Sequence, residues 1–362
     1  MTELTMRHTP KPLFTKIDLM HGEKSISRLQ VWDLTMRIDR ARVRCGGIGA
    51  VGTDPEWRGR GLSRRVIEHA MEWMAEQGYQ VSALFGIPDY YPKYGFSVAL
   101  VDTVISMATR DLESAPQRFK ARRMAPEDAP AVLALYEHNR GRHTGSMVRD
   151  PSVWKRFRLG SSWTDRVGAF VLCEGDEIVG YASYNLDYWR YGIGEVGYRD
   201  ASVFDGLLAE IGRRAVQLCV ERVPITTPLD DPFCTHCRRY GCEVKTTYPR
   251  QGGGMVRIID QASTLEQVQP VLAERLERSG LGWSGKLTLS TELGATTLDL
   301  GSGAESIDLA LPQTLLTQWL LGYRDIVEGL DAEDKTLDAE TVSLLEVLFP
   351  MGQPHVWLAD RF

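Results

Sequence analysis

The chain has 362 residues, too many for one ordinary hydrophobic core, so two or three domains are expected. It is 43% hydrophobic and 25% charged with no biased tract, and a net charge of −6 argues against nucleic acid as its main partner. No apolar run approaches the roughly 20 residues of a membrane span, the first 15 residues lack a secretory apolar core, and six scattered cysteines make no disulfide scaffold; a cytoplasmic protein with no membrane partner is expected.

A strand is read over 13–20. Residues 25–38 (SISRLQVWDLTMRI) are rich in β-branched and aromatic side chains, Asp39-Arg40 interrupts them, and 41–53 resumes the pattern, which predicts a hairpin. Leu62, Val66, Ala70, Trp73 and Met74 fall near helical spacing, so 63–77 reads as a helix with Gly78 as its stop. A short strand over 80–85, one helical turn over 89–94 and a strand over 97–107 complete this block. The second block starts near Phe119, with a helix from Ala125 to about His138, a hairpin over 169–186 turning at Glu174-Gly175-Asp176, and a helix over 202–220. The third starts near Asp260, with helices over 264–279, 312–322 and 339–348 and strands over 285–291, 295–300 and 307–311. Gly252-Gly253-Gly254 reads as a loop, and the acidic stretch 328–334 as a solvated one.

Arg58-Gly59-Arg60-Gly61-Leu62-Ser63 stands between the second hairpin strand and the first helix. Glycines let a ligand approach the backbone closely. The first turn of a helix has unpaired N–H groups and a partial positive charge. With the arginines added, a diphosphate-bearing ligand is the natural guest. A Gly-rich turn with solvated arginines is the competing reading. The spacing fits neither a P-loop nor a dinucleotide fingerprint.

Asp54-Pro55-x-x-Arg58-Gly59-x-Gly61-x-Ser63 resembles the acetyl-CoA signature of GNAT N-acetyltransferases, and Tyr91-x-x-x-Gly95-Phe96 resembles that family's second signature. The length of the chain and its closing segment, Leu348-Phe349-Pro350 through His355-Val356-Trp357-Leu358-Ala359-Asp360-Arg361-Phe362, narrow the resemblance to the Eis (enhanced intracellular survival) acetyltransferases. That resemblance implies an α/β (α+β) fold with two tandem GNAT-like mixed-sheet domains and a sterol-carrier-like α+β domain. The boundaries drawn from it are 1–116 for the acetyl-CoA-binding domain, 117–259 for a GNAT-like domain without the cofactor loop, and 260–362 for the last. The matching place in the second block, 195–206, offers aspartates where the loop would be.

The resemblance also implies chemistry. Acetyl-CoA is the donor and a small-molecule primary amine the acceptor, an aminoglycoside, a polyamine or a lysine-like group. Tyr91 matches the general acid, although Tyr90 and Tyr94 compete for that role. The terminal carboxylate of Phe362 is the implied base. Val51, Gly52 and Thr53 would pair with the pantetheine arm. Arg58, Gly59, Arg60, Gly61, Leu62, Ser63 and Arg64 would hold the pyrophosphate, and Gly86 and Ile87 would border the cleft. Trp32 and Asp33 are candidates to line the acceptor pocket, with a packing Trp the equal alternative. A homo-oligomer, a hexamer or a smaller ring, is implied as well.

Other signals point to no further chemistry. Cys234-Thr235-His236-Cys237 with Cys242 resembles half a zinc site but lacks a second pair, so no metal is expected. His69 reads as an ordinary helical residue. Against the family layout the chain is about 35–40 residues short at its start, and Arg361 places a cation beside the tail. Both features motivate the alternative of an acetyl-CoA-binding sensor or scaffold without efficient amine turnover.

Overall fold

Alternating side chains along 14–53 build the first sheet in the computed structural model, which describes residues 4–158, 167–186 and 190–362. Strands β1 (Leu4–Pro10), β2 (Phe14–His21), β3 (Lys24–Ile38) and β4 (Ala41–Thr53) form an antiparallel meander turning at Asp39-Arg40, as the break in the apolar pattern predicts. Strand β1 falls where the sequence suggested no element. Helix α1 (Leu62–Glu76) follows and buries Leu62, Val66, Ile67, Ala70, Met71 and Met74, a stripe recurring at three and four residues. This stripe covers one face of the meander, against Ile17, Leu19, Leu29 and Val31. Gly46 makes room for it, because a Cβ there would stand 2.1 Å from the Met74 sulfur. Strand β5 (Val81–Gly86) then runs parallel to β4, a 3₁₀ turn occupies Pro92–Tyr94, and β6 (Ser97–Val98) follows.

The expected strand over 97–107 is two strands in different sheets: β6 belongs to the first, and β7 (Asp102–Ala108) to the second. A run that stays strand-like across Asp102-Thr103 cannot reveal such a change of partner. Helix α2 (Thr109–Leu112), strand β8 (Lys120–Arg123), helix α3 (Ala129–Arg140), and strands β9 (Val167–Glu174), β10 (Glu177–Asn185) and β11 (Gly192–Tyr198) come next. Helix α4 (Phe204–Gln217), strand β12 (Arg222–Thr226), helix α5 (Pro232–Cys237) and strand β13 (Glu243–Thr247) complete this stretch. Strand order in the second sheet is β13-β7-β12-β11-β10-β9-β8. Strands β11 and β12 are its parallel pair, with antiparallel neighbours on either side.

Strand β14 (Gly253–Ile258) inserts between β5 and β6, giving the first sheet the order β1-β2-β3-β4-β5-β14-β6. Of the glycine run read as a loop, Gly253 and Gly254 are therefore the start of a strand. Each sheet thus has four antiparallel strands, one parallel step and two further antiparallel strands. Beyond β14 lie α6 (Gln261–Ser279), a three-stranded sheet of β15 (Gly285–Thr291), β16 (Gly294–Asp299) and β17 (Glu305–Ala310), and helices α7 (Gln313–Leu320), α8 (Ile326–Ala332) and α9 (Ala339–Leu348). The acidic stretch expected as a loop is largely α8, which turns Ile326, Gly329 and Leu330 inward and its acids outward.

Two compact units result. One gathers Met1–Leu100, Pro249–Gly352 and Phe362; the other gathers Val101–Tyr248 and Gln353–Arg361. Within the first, Gln80 joins the early and late segments through its side chain to the Ser263 carbonyl at 2.9 Å. In the second, Arg149 is buried and makes a paired bond to Glu195 at 2.9 and 2.5 Å and another to Asp360 at 2.9 and 2.8 Å. Trp357 is fully buried beneath the Arg140 guanidinium, 4.7 Å from the ring centroid. Arg361 pairs with Asp102, so its charge is neutralised within that unit.

Candidate active site

A cleft opens where β4 and β5 part. Their parallel pairing covers only Cys45–Ile48 against Val81–Leu84. Beyond it, β4 continues against β3 as far as Thr53, and β5 continues against β14 as far as Gly86. A bulge helps drive them apart: the β3–β4 register slips between Arg28 and Gln30, and Ala50 adopts a φ of 51°. The β5-facing edge of β4 from Gly49 onward is left open to a ligand backbone.

The Gly-rich loop lies at the end of that edge. Gly59 and Gly61 have φ of 75° and 70°, which glycine adopts without steric cost. No atom stands within 4 Å of where a Cβ would be on Gly52, Gly59 or Gly61, so all three face open space. Gly61 is the N-cap of α1, no side chain caps the helix, and its first turn carries no acid. Arg58 donates to the Thr53 carbonyl at 3.1 Å and Arg60 to the Glu56 carbonyl at 3.2 Å, which fixes both stems beside the loop. Ser63 and Tyr90 share a hydroxyl bond at 2.5 Å, tying the helix mouth to the tyrosine turn. Uncapped N–H groups, open glycines and arginine charge together fit a diphosphate.

Tyr91 packs on Gly86 at the end of β5, since a Cβ on Gly86 would stand 2.4 Å from the Tyr91 ring. It also meets Tyr90 and Phe96 edge-on at 4.9 and 6.2 Å between centroids. Burial, then the neighbouring Tyr90, push the Tyr91 phenol above its usual range, so its hydroxyl keeps its proton at neutral pH. Ile87, just beyond Gly86, is exposed.

Phe362 lies against the same strand ends. A Cβ on Gly47 would stand 2.8 Å from its ring, and one on Gly49 would stand 3.1 Å from its main-chain carbonyl carbon. Phe85 meets the ring edge-on at 5.8 Å. The same Gly49 position lies 3.5 Å from the Trp32 indole nitrogen, so Trp32 and the Phe362 main chain meet beside it. Asp33 is elsewhere: strand alternation turns it to the opposite face, where Arg44 holds it at 3.0 and 3.1 Å. Gly47, Gly49 and Phe85 escaped sequence reasoning. Their signal was two glycines two apart on one strand, which marks a close approach on a single face.

Among the described residues, the second unit has no such loop. Asp200 accepts the Ser202 N–H, and Asp205 sits in the first turn of α4, both unfavourable to an anion. His236 is bound to Asp205 at 2.6 Å, while Cys234 and Cys237 are buried in α5.

No curated protein matches the sequence. Residues 16–99 match the acetyltransferase (GNAT) domain family. A conserved Enterococcus faecalis protein of unknown function is similar over 96% of this chain and 89% of its own, at 19% identity and a TM-score of 0.75. A GCN5-related N-acetyltransferase from Kribbella flavida aligns over 96% and 87% of the two chains, at 19% identity and 0.70. Eis1 from Mycobacterium abscessus aligns over 96% and 91%, at 15% and 0.67. These likenesses carry the fold, and they span both units and the late segments. The family match lies within the first unit, where residues 16–99 are similar to a GNAT acetyltransferase domain.

Proposed function

We propose that the protein is an N-acetyltransferase of the Eis type, using acetyl-CoA to acetylate a primary amine on a small molecule such as an aminoglycoside, a polyamine or a lysine-like compound. The observation that carries this reading is Phe362 at the parting of β4 and β5, with Tyr91 on Gly86 at the same strand end. Acetyl-CoA would supply an activated thioester. Val51, Gly52 and Thr53 offer the backbone edge for its arm, and the 58–64 loop holds its pyrophosphate. Tyr91 keeps a proton at its hydroxyl for the departing thiolate. A carboxylate on Phe362 attracts the cationic amine and takes its proton, directly or through one water. Trp32 lines the acceptor side, and Asp33 has no part in it. The reading keeps residues 117–259 as a GNAT-like domain without cofactor, 260–362 as a sterol-carrier-like scaffold, and the assembly as a homo-oligomer.

The test is steady-state CoA release against a panel of amines, beside a protein extended by one residue after Phe362. Extension moves the carboxylate away, so kcat is expected to fall about 10²-fold while acetyl-CoA affinity is unchanged. Undiminished turnover would remove the terminal carboxylate from the mechanism. Acetyl-CoA binding without turnover of any amine would turn the assignment to a sensor.

Gly61→Val probes the donor half separately. A β-branched residue at a φ of 70° is strained, and its side chain fills the space left open above the loop. Acetyl-CoA Kd is expected to rise about tenfold or more, read by calorimetric titration, with thermal stability lowered only slightly.

A further inference from the structure

Phe362 brings a main-chain carboxylate and an aromatic ring to the cleft, and only the carboxylate has a part in acetyl transfer as proposed. The ring has a place of its own. A Cβ on Gly47 would stand 2.8 Å from its Cδ2, Cε2 and Cζ atoms, so the ring lies directly on the bare backbone of β4. Phe85 of β5 meets it at 5.8 Å between centroids and an angle of 62°, an edge-on arrangement that aromatic pairs favour. Trp32 of β3 is paired with Gly47 in register, so its side chain rises from the same face of the sheet, and Phe14 packs on it at 4.9 Å.

Glycine at 47 is what this packing requires, since any side chain there would take the place of the ring. Gly47 also lies where β4 still pairs with both β3 and β5, so the backbone beneath the ring is held on both edges. Its register neighbour on β5 is Ala83, another small residue. Without the ring, Gly47 and Ala83 would floor an apolar groove between Trp32 and Phe85.

The position along β4 gives the ring its consequence. The open edge of the strand begins at Gly49 and runs to Thr53, with the Gly-rich loop beyond it. A donor with its diphosphate at the loop and its arm along 51–53 carries its thioester to 49–50, and the acyl group points on towards Gly47. Two residues of a strand span about 6.7 Å. An acetyl methyl fits in that length before the ring, and a third or fourth acyl carbon meets it.

We propose that the Phe362 ring is a stop that sets acyl length, so that the protein takes acetyl-CoA and rejects acyl-CoA thioesters of four or more carbons. The path of the donor rests on the acetyl-transfer reading; the stop adds the side chain that selects the acyl group.

Initial rates with acetyl-, butyryl- and hexanoyl-CoA test it, with one acceptor amine, beside calorimetric titration of each thioester and of CoA itself. In the wild type, kcat/KM is expected to fall about 10²-fold from acetyl-CoA to butyryl-CoA, because a methylene too many in a closed apolar pocket costs about tenfold or more. In Phe362→Ala the two values should come within threefold of each other. Hexanoyl-CoA, measured relative to CoA, should bind this variant at least tenfold more tightly than it binds the wild type. Phe362→Tyr keeps a ring and should keep the wild-type preference. The main chain at 362 is the same in all three proteins, and taking ratios cancels any general loss of rate or affinity. An unchanged preference in Phe362→Ala, or wild-type turnover of butyryl-CoA equal to that of acetyl-CoA, would overturn the stop and leave acetyl transfer standing. Turnover of no amine would overturn acetyl transfer instead, and the hexanoyl-CoA affinities would then decide the stop. Absence of acetyl-CoA binding to the wild type would remove both.

Discussion

Replacing Tyr91 with Phe is expected to lower kcat by about 10²–10³-fold, a barrier increase of about 3–4 kcal/mol, with acetyl-CoA affinity nearly unchanged. The ring remains, so its packing on Gly86 and its edge contacts with Tyr90 and Phe96 survive, and only the proton at the hydroxyl is lost. The pH profile separates this from a structural effect. In the wild type, kcat falls at alkaline pH as a phenol raised above its ordinary range finally ionises. The variant has no such limb. Tyr90→Phe breaks the bond to Ser63, and Tyr94→Phe alters a buried hydroxyl. Each is expected to cost less than tenfold. If either costs as much as Tyr91→Phe, the role of general acid moves to that residue.

Acid is expected to open the second unit. His143 and His355 are buried there, and burial is the main cause that lowers them, to about 3 and about 4. The Arg140 guanidinium acts on both, His355 acts on His143, and Arg361 acts on His355. Opposing contributions from the Gln353 backbone, the Val101 carbonyl and Asp102 are smaller than burial. His355 donates through Nδ1 to the Val101 carbonyl at 3.0 Å, so a second proton would fall on Nε2, which has no partner.

The sign follows from the unfolded chain. Unfolded histidines protonate near pH 6.5 while these stay neutral, so stability is complete above that value. It then declines as pH falls towards 4 and 3. At pH 5 each histidine costs about 2 kcal/mol relative to pH 7.5. Hydrogen exchange of the second unit should show its opening free energy reduced by about 4 kcal/mol over that range. His355→Gln should remove about half of the pH dependence. A flat profile between pH 7.5 and 5 would mean that the two rings already protonate freely in the folded protein.

Legibility followed distance along the chain. The hairpin over 24–53, the helix after Gly61 and the loop before it were readable because each depends on neighbours a few residues away. Their cues were alternation for strands, three-four spacing for the helix, and glycine where φ turns positive. The second helix pair and the late strands were readable for the same reason, with ends displaced by a few residues. By contrast, the short strands β11, β12 and β13 carry too little pattern to stand out. The break between β6 and β7 does not show because both halves are rich in strand-forming residues with no turn signal between them.

The candidate site divides along the same line. Its donor half is a continuous stretch, so the loop and the Tyr91–Phe96 signature could be found by spacing alone. Its acceptor half brings together Trp32, Gly47, Gly49, Phe85 and Phe362, which lie up to 330 positions apart. Trp32 and Asp33 are adjacent in sequence, yet only the register of β3 shows that they face opposite ways.

What the sequence determined by itself is the chemistry of short segments: a strand edge, a helix mouth ready for an anion, and a tyrosine at fixed spacing from a glycine. Tertiary structure decided which of these meet. It inserted β14 beside β5, parted β5 from β4, and placed Phe362 against two glycines that local pattern could not connect to it. Contacts between distant segments depend on which surfaces are buried together, and no window of neighbouring residues contains that information.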